Sequence, residues 1–324
     1  MSAIRKASYA IFGALVLAAV YFDLDGPILG GLCSYMVLEL TARAWPARWP
    51  SGAARWISVV VFAAAVGGVC WAIYLFLRQA FSVLPEIVAG LEPKLRAFVG
   101  QFGVDLPFQE LDELRQAAAN DLQRTARHFL DVTMIISRGF FEFALSIVIA
   151  VLCFMRGAAP RYLDNLNDAL RQELYVRVRI FMESFEKVFG AQVLIAGINA
   201  CLTGIFIVSV GIPHASFLVP ATFLLGMAPV IGNLISNTII VAAALGISVG
   251  RGLAALIFLV VIHKLEYILN SRIMGKKLDA PMWQTLLAIL LGETMMGIPG
   301  ILLAPTVLHY LKTEMQLVPF KYDS

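Results

Sequence analysis

The residues whose types and spacing could do chemistry fall in the last third of the chain, residues 213–311. There, apolar segments are interrupted by glycine, proline and a few charges. Glu293 is the sharpest of these. It stands inside an apolar run, with Thr285–Leu291 before it and Met295–Ile298 after. A charge at a bilayer centre costs about 2.5–3.5 kcal/mol or more, so such a carboxylate must face a cavity, a partner or a proton. Glu293 therefore reads either as a proton or cation site, or as an interfacial residue on a short helix. His263, Glu266 and Asn270 follow one another at i, i+3 and i+7, on one face of a helix starting near Leu253. That stripe fits a water-filled path or a subunit contact; the plainer alternative is a helix emerging into water. His263 adds a group that titrates near neutral pH, while Lys264 points elsewhere and can snorkel.

Two clusters of glycine and proline mark where the backbone itself becomes available. Pro229, Gly232 and Asn233 lie within five residues of one another, which is an interruption rather than a kink. Gly297, Pro299, Gly300 and Pro305 make the same case for the last apolar segment, and Gly275 sits in the intervening basic stretch Arg272–Lys277. In discontinuous membrane helices, the freed carbonyls and amides bind ions or polar solute. Close helix packing through small residues is the competing role for these glycines. It is the simplest role for Ala196, Gly197, Gly204 and Gly211.

The elements that must position these residues are membrane helices. Sixty per cent of the chain is apolar and 15% is charged, against roughly half and a quarter in soluble domains. Several segments approach the roughly 20 apolar residues needed to cross a bilayer: Ile57–Leu77, Phe140–Met155, Val193–Ile212, Ser216–Ile231, Leu234–Val249 and Leu253–Ile262. The net charge of +3 is small and the basic residues cluster at segment edges, which argues against nucleic-acid binding. Cys33, Cys70, Cys153 and Cys201 each stand alone among apolar residues, so neither a disulfide framework nor a metal site is expected. No Gly-rich phosphate loop, nucleophile motif or metal-ligand spacing occurs, so no enzyme activity and no cofactor are expected.

In chain order, Ala7–Phe22 and Ile28–Leu40 form a hairpin, the first arm reading as an uncleaved helix rather than a signal peptide. Thr41–Trp56 carries Arg43, Arg48 and Arg55 among Trp45, Trp49 and Trp56, with no acidic residue. The positive-inside bias places this loop, and the N-terminus with it, in the cytoplasm. Residues 78–137 show amphipathic periodicity with a turn at Gly103 and Pro107. Their eight acidic against six basic residues fit a helical hairpin on the other side. Ala159–Gly190 is a second amphipathic stretch of near-balanced charge, suited to packing on a neighbouring helix. This reading divides the chain at 1–77, 78–137, 138–190 and a transport core at 191–324. Treating Met282–Met296 and Ile298–Tyr310 as two arms returns the C-terminus to the cytoplasm beside the basic loop.

The run Pro229-x-Ile231-Gly232, then Glu266 ahead of Arg272-Ile273-Met274-Gly275-Lys276, then Pro281, Gly292 and Gly297-x-x-Gly300-x-x-x-Ala304-Pro305, resembles the autoinducer-2 exporter family of bacterial permeases. The resemblance spans nearly the whole chain, with specific motifs from about Pro229 onward. Asn233, Ser271, His263-Lys264 and Glu293 depart from the family pattern. The resemblance implies an exporter of small polar signals, some relatives being associated with sodium–proton exchange instead.

The expected fold is all-α and polytopic, with about eight transmembrane segments, broken or re-entrant helices in the C-terminal half and an extramembrane helical hairpin. The expected function is secondary export of a small polar, autoinducer-2-like solute across the bacterial inner membrane, coupled to protons or another ion. A sodium/proton antiporter and a non-transporting membrane scaffold are the alternatives. The partners expected are the solute, protons or sodium, the bilayer and further copies of the chain, with no nucleic acid.

Overall fold

The computed structural model describes residues 3–46, 51–100, 129–156, 165–228, 231–273 and 281–318, and every regular element among them is helical. We number the helices α1 (Ala3–Tyr21), α2 (Asp25–Arg43), α3 (Ser51–Gly100), α4 (Phe129–Arg156), α5 (Leu166–Val210), α6 (Ala215–Gly226), α7 (Ile231–Leu245), α8 (Val249–Ile273) and α9 (Met282–Gln316). Five of them, α1, α3, α4, α5 and α9, contain stretches long and apolar enough to cross a membrane, while α6 and α7 are shorter apolar helices. The protein is a polytopic helical membrane protein.

Helix α5 is the spine. Asn165 caps its start by accepting from the Asp168 amide at 2.9 Å, and Gly211, at φ 70°, ends it in a left-handed turn. Its 45 residues extend about 67 Å. The amphipathic stretch and the apolar segment after it are thus one unbroken helix, and the division at residue 190 falls inside it. The division at residue 77 likewise falls inside α3, whose residues Gln79–Gly90, assigned by sequence to the extramembrane hairpin, still pack against α6 and α7. Gly103 and Pro107, the turn of that hairpin, lie outside the described residues.

Side-chain bonds assign the helix ends to two levels. At one end, the Tyr9 hydroxyl of α1 donates to Glu314 of α9 at 2.7 Å, and Arg177 of α5 meets the same carboxylate at 3.2 Å. Arg43, closing α2, pairs with Glu186 at 2.9 Å, and Arg55 of α3 donates to the Met155 carbonyl at the end of α4. The start of α1 and the end of α9 therefore share one end of the bundle with the basic 41–56 segment. At the opposite end, Gln79 of α3 donates to Ser216 of α6, Glu86 approaches His214, and Arg251 of α8 donates to the Gly211 carbonyl. Val83, Ile87, Ile207, Phe217, Ile240 and Ala255 bury a common core there.

Two helical hairpins enter from these opposite ends. Helices α6 and α7, of 12 and 15 residues, are about 18 and 22 Å long, short of the roughly 30 Å hydrocarbon core. They descend and return as a pair. Gly232, at the start of α7, lies against the Leu225 carbonyl so tightly that a Cβ has no room. The second reversal is at Gly297 in α9, whose φ of 59° and ψ of −141° suit only glycine. In a straight helix Gly292 and Gly300 would be about 12 Å apart. Here a Cβ on Gly292 would meet the Gly300 carbonyl at 2.5 Å and Ala304 Cβ at 2.8 Å. Met282–Met296 and Ile298–Gln316 are thus two antiparallel arms crossing on small residues.

This packing generates a prediction. Gly300→Val forces the arms of α9 apart and lowers the midpoint of thermal unfolding in detergent by several degrees, whereas Gly13→Val, with nothing within 4 Å of its Cβ position, leaves it unchanged. Equal midpoints for both variants contradict the close crossing.

Candidate functional site

The α6–α7 hairpin reverses between Gly226 and Ile231, and polar side chains of α5 collect around those helix ends. Gln192 donates to the Gly226 carbonyl at 3.0 Å, taking up one acceptor left by the end of α6. Seven residues on, the Asn199 amide reaches Asn233 Oδ1 at 3.4 Å. Asn233, at the start of α7, donates its own amide to Glu266 of α8 in a short hydrogen bond. The chain thus runs Asn199 to Asn233 to Glu266 and joins α5, α7 and α8. Asn199 and Asn233 are 6% and 5% exposed, and the Glu266 side chain 13%. Ile195, Ile198, Leu202, Ile262, Leu265 and Leu269 line the cleft that Asn199 and Glu266 share.

Each amide gives one of its two N–H groups to the next oxygen, so the cluster keeps an N–H on each amide beside the acceptor oxygens of Asn199 and Glu266. Asn199 Oδ1 is buried with no hydrogen-bond partner among the described residues. Glu266 Oε2 has the His263 ring at 4.0 Å. Such a site takes hydroxyl donors or a small cation and disfavours anions. Its depth follows from helix rise. Twelve residues separate Asn233 from Leu245 at the α3-contacting end, about 18 Å of helix.

The α9 hairpin approaches the same depth from the other side. Its return arm runs antiparallel to α5, with Glu314 beside Arg177 and His309 Nδ1 2.8 Å from Ser184 Oγ. Continuing that register places Gly297 level with the stretch Gln192–Asn199. Both reversals therefore sit at one height along the spine.

The model of the AI-2E family transporter matches residues 9–319. This chain belongs to that family. A Bacillus subtilis (strain 168) protein named "Putative transport protein YdbI" is 27% identical over 182 residues, which is 52% of this chain and 51% of that protein. The chain thus spans about half the length of the curated relative it matches.

Within this AI-2E family transporter, the residues singled out by sequence go to different places. Glu266 and Asn233 are brought together, with Gly232 at the same turn. His263 is one helical turn from Glu266, its side chain is 79% exposed, and it is not among the residues lining the cleft. Glu293 lies exposed on the outgoing arm of α9, apart from the Glu266 cluster. Pro299 and Pro305 sit in the return arm beside Gly300. Pro229 and Gly275 lie outside the described residues, as does the side chain of Asn270.

Sequence reasoning missed Gln192 and Asn199. The available signal was two amides seven residues apart in an otherwise apolar stretch of α5, one helical face pointing inward. It also missed the buried cluster at the other end of α5. There Arg177, 1% exposed, pairs with Glu314 at 3.2 Å and Glu173 at 2.6 Å, and lies 4.3 Å over the Tyr9 ring. Removing one partner of a buried pair leaves an uncompensated charge and costs about 3–5 kcal/mol. Arg177→Ala should therefore sharply lower the unfolding midpoint in detergent, and the double variant Arg177→Met with Glu314→Leu should recover much of the loss. A fully stable Arg177→Ala protein contradicts the pairing.

Proposed function

We propose that this AI-2E family transporter is a secondary transporter of the bacterial inner membrane, exporting a small polar solute of autoinducer-2-like chemistry and driven by a proton or ion gradient. The observation that carries this reading is the Asn199–Asn233–Glu266 chain, held at the tip of a hairpin too short to cross a bilayer. A hydroxylated solute both donates and accepts, and this cluster offers the Glu266 carboxylate and the unpartnered Asn199 Oδ1 to its donors and the remaining amide N–H groups to its acceptors. Solute hydroxyls replace the Asn233 amide on Glu266 as the hairpin shifts. The start of α7 adds the positive end of a helix dipole at the same place. Two hairpins entering from opposite ends and reversing at one height provide the elements that alternate access to it.

In this proposal the end shared by the start of α1 and the end of α9 is cytoplasmic, a reading supported by the basic residues of 41–56. Self-association also belongs to this proposal. The outgoing arm of α9 carries Trp283, Leu286, Leu290 and Met295 as exposed apolar residues, a surface suited to another copy of the chain.

A sodium/proton antiporter is the second reading, favoured by one observation. Glu266 and the unpartnered Asn199 Oδ1 together offer oxygen ligands to a small cation.

The test uses purified protein in liposomes with an imposed proton gradient. Efflux of loaded autoinducer-2 and internal pH after sodium addition are followed in parallel for wild type and Glu266→Gln. The exporter reading expects solute efflux that falls tenfold or more in Glu266→Gln at equal reconstituted protein. Sodium-driven proton movement without solute efflux gives the antiporter instead. Neither flux above empty liposomes, or wild-type efflux by Glu266→Gln, overturns the assignment of this site.

A further inference from the structure

The polar residues of α5 do not stop at the Asn199 cluster. Glu173, Arg177, Ser184, Gln192, Asn199 and Thr203 recur at intervals of four, seven or eight, which keeps them on one side of the helix. From Arg177 onward all are buried. Between Ser184 and Gln192 the stripe is interrupted by about 12 Å of helix, where Val188 occupies the stripe and Phe185 packs with Met36 and Leu303. The stripe therefore has two polar stretches divided by one apolar belt. The stretch beyond the belt is at the end where α1 starts and α9 finishes, and the transport site described above does not use it.

That second stretch faces polar residues of the α9 return arm. Leu303 packs on Phe185, Tyr310 packs edge-on against Phe181, and Glu314 reaches Arg177. These three fix which face of the arm meets α5, and Thr306 lies on that face between Leu303 and Tyr310. Thr306 is 0% exposed, and its hydroxyl has no hydrogen-bond partner among the described residues. Arg177 Nε is buried and unpartnered in the same sense. Beside them, Ser184 and His309 share a buried 2.8 Å hydrogen bond. A buried polar atom without a partner costs about 1–3 kcal/mol, so a ligand or water that bonded the Thr306 hydroxyl and Arg177 Nε would recover that cost.

We propose that Ser184, Thr306 and His309, with the Arg177 guanidinium at their outer edge, form a second polar site on the transport path, for a neutral hydroxyl-bearing solute. It rests on the transport reading given above. The chemistry favours a neutral hydroxylated species because the groups on offer are of both kinds. The Thr306 hydroxyl donates and accepts, and Arg177 Nε donates. A free cation meets the Arg177 charge there, and a free anion meets Glu173 and Glu314. The apolar belt at Val188 and Phe185 separates this site from Glu266, so solute passes between them only when the belt parts. The Arg177–Glu314 pair closes the site toward the shared end of α1 and α9.

Thiol accessibility tests this independently of flux. In a background with Cys33, Cys70, Cys153 and Cys201 replaced by alanine, Thr306→Cys is reconstituted and exposed to a small membrane-impermeant thiosulfonate from each side. The expected result is modification from the side bearing the start of α1 only, slowed severalfold by saturating autoinducer-2. Ser184→Cys reports the same position if Thr306→Cys does not fold. An unreactive thiol in folded protein overturns the proposal, and so does modification that autoinducer-2 does not slow. Wild-type flux measured alongside separates the two claims. Intact, Glu266-dependent flux with an unreactive Thr306→Cys removes only the second site, whereas absent wild-type flux removes the Glu266 assignment whatever the thiol does.

Discussion

The hydrogen bond from Asn233 to Glu266 is the interaction on which the rest of this structure depends. A carboxylate on an apolar helix has to be given partners, because desolvation penalises it heavily. Asn233 can supply one only because α7 begins there, and α7 begins there only because the chain breaks after α6. The break in turn needs Gln192 to take up the Gly226 carbonyl and Gly232 to let the arms close. Each of these features answers a demand made by the one before it.

Helix α5 is what allows two such arrangements to coexist. Its half nearer Gly211 holds the α6–α7 hairpin and the Asn199 amide, and its half nearer Asn165 holds α1 and the return arm of α9. The return arm of α9 is pinned by Arg177, Ser184 and the Phe185 cluster, while its outgoing arm presents apolar residues outward. Gly297 joins the two. A transporter needs this combination of a rigid scaffold with elements able to shift against it.

Much of this was legible in the sequence, and the physical reasons are specific. Gly297, Pro299 and Gly300 announced a reversal because glycine alone tolerates the backbone that a sharp turn between helices requires, and proline is tolerated in the first turn of the helix that follows. Glu266 announced itself as a charge in an apolar context. Amphipathic spacing found Phe185 and Val188 of the buried face near the start of α5, but Leu166 and Val178 of the same stripe are exposed while Arg177 and Ser184 are buried. The continuity of α5 was not legible, since its two halves differ in composition and nothing local says whether such halves join. Pairing over long separations was equally hidden: Arg177 meets Glu314 across 137 positions, and Asn199 meets Asn233 across 34. Those partners are set by how helices stack. Glu293 shows the converse, a residue conspicuous by its neighbours that the packing leaves outside the Glu266 cluster.

The central claim is that the transported species binds where Asn199, Asn233 and Glu266 meet. Equilibrium binding of radiolabelled autoinducer-2 to the detergent-purified protein tests it most directly, comparing wild type with Asn233→Ala at matched unfolding midpoints. The account predicts saturable binding in the wild type and its loss, by tenfold or more in affinity, in Asn233→Ala. Undiminished binding by a stably folded Asn233→Ala contradicts it.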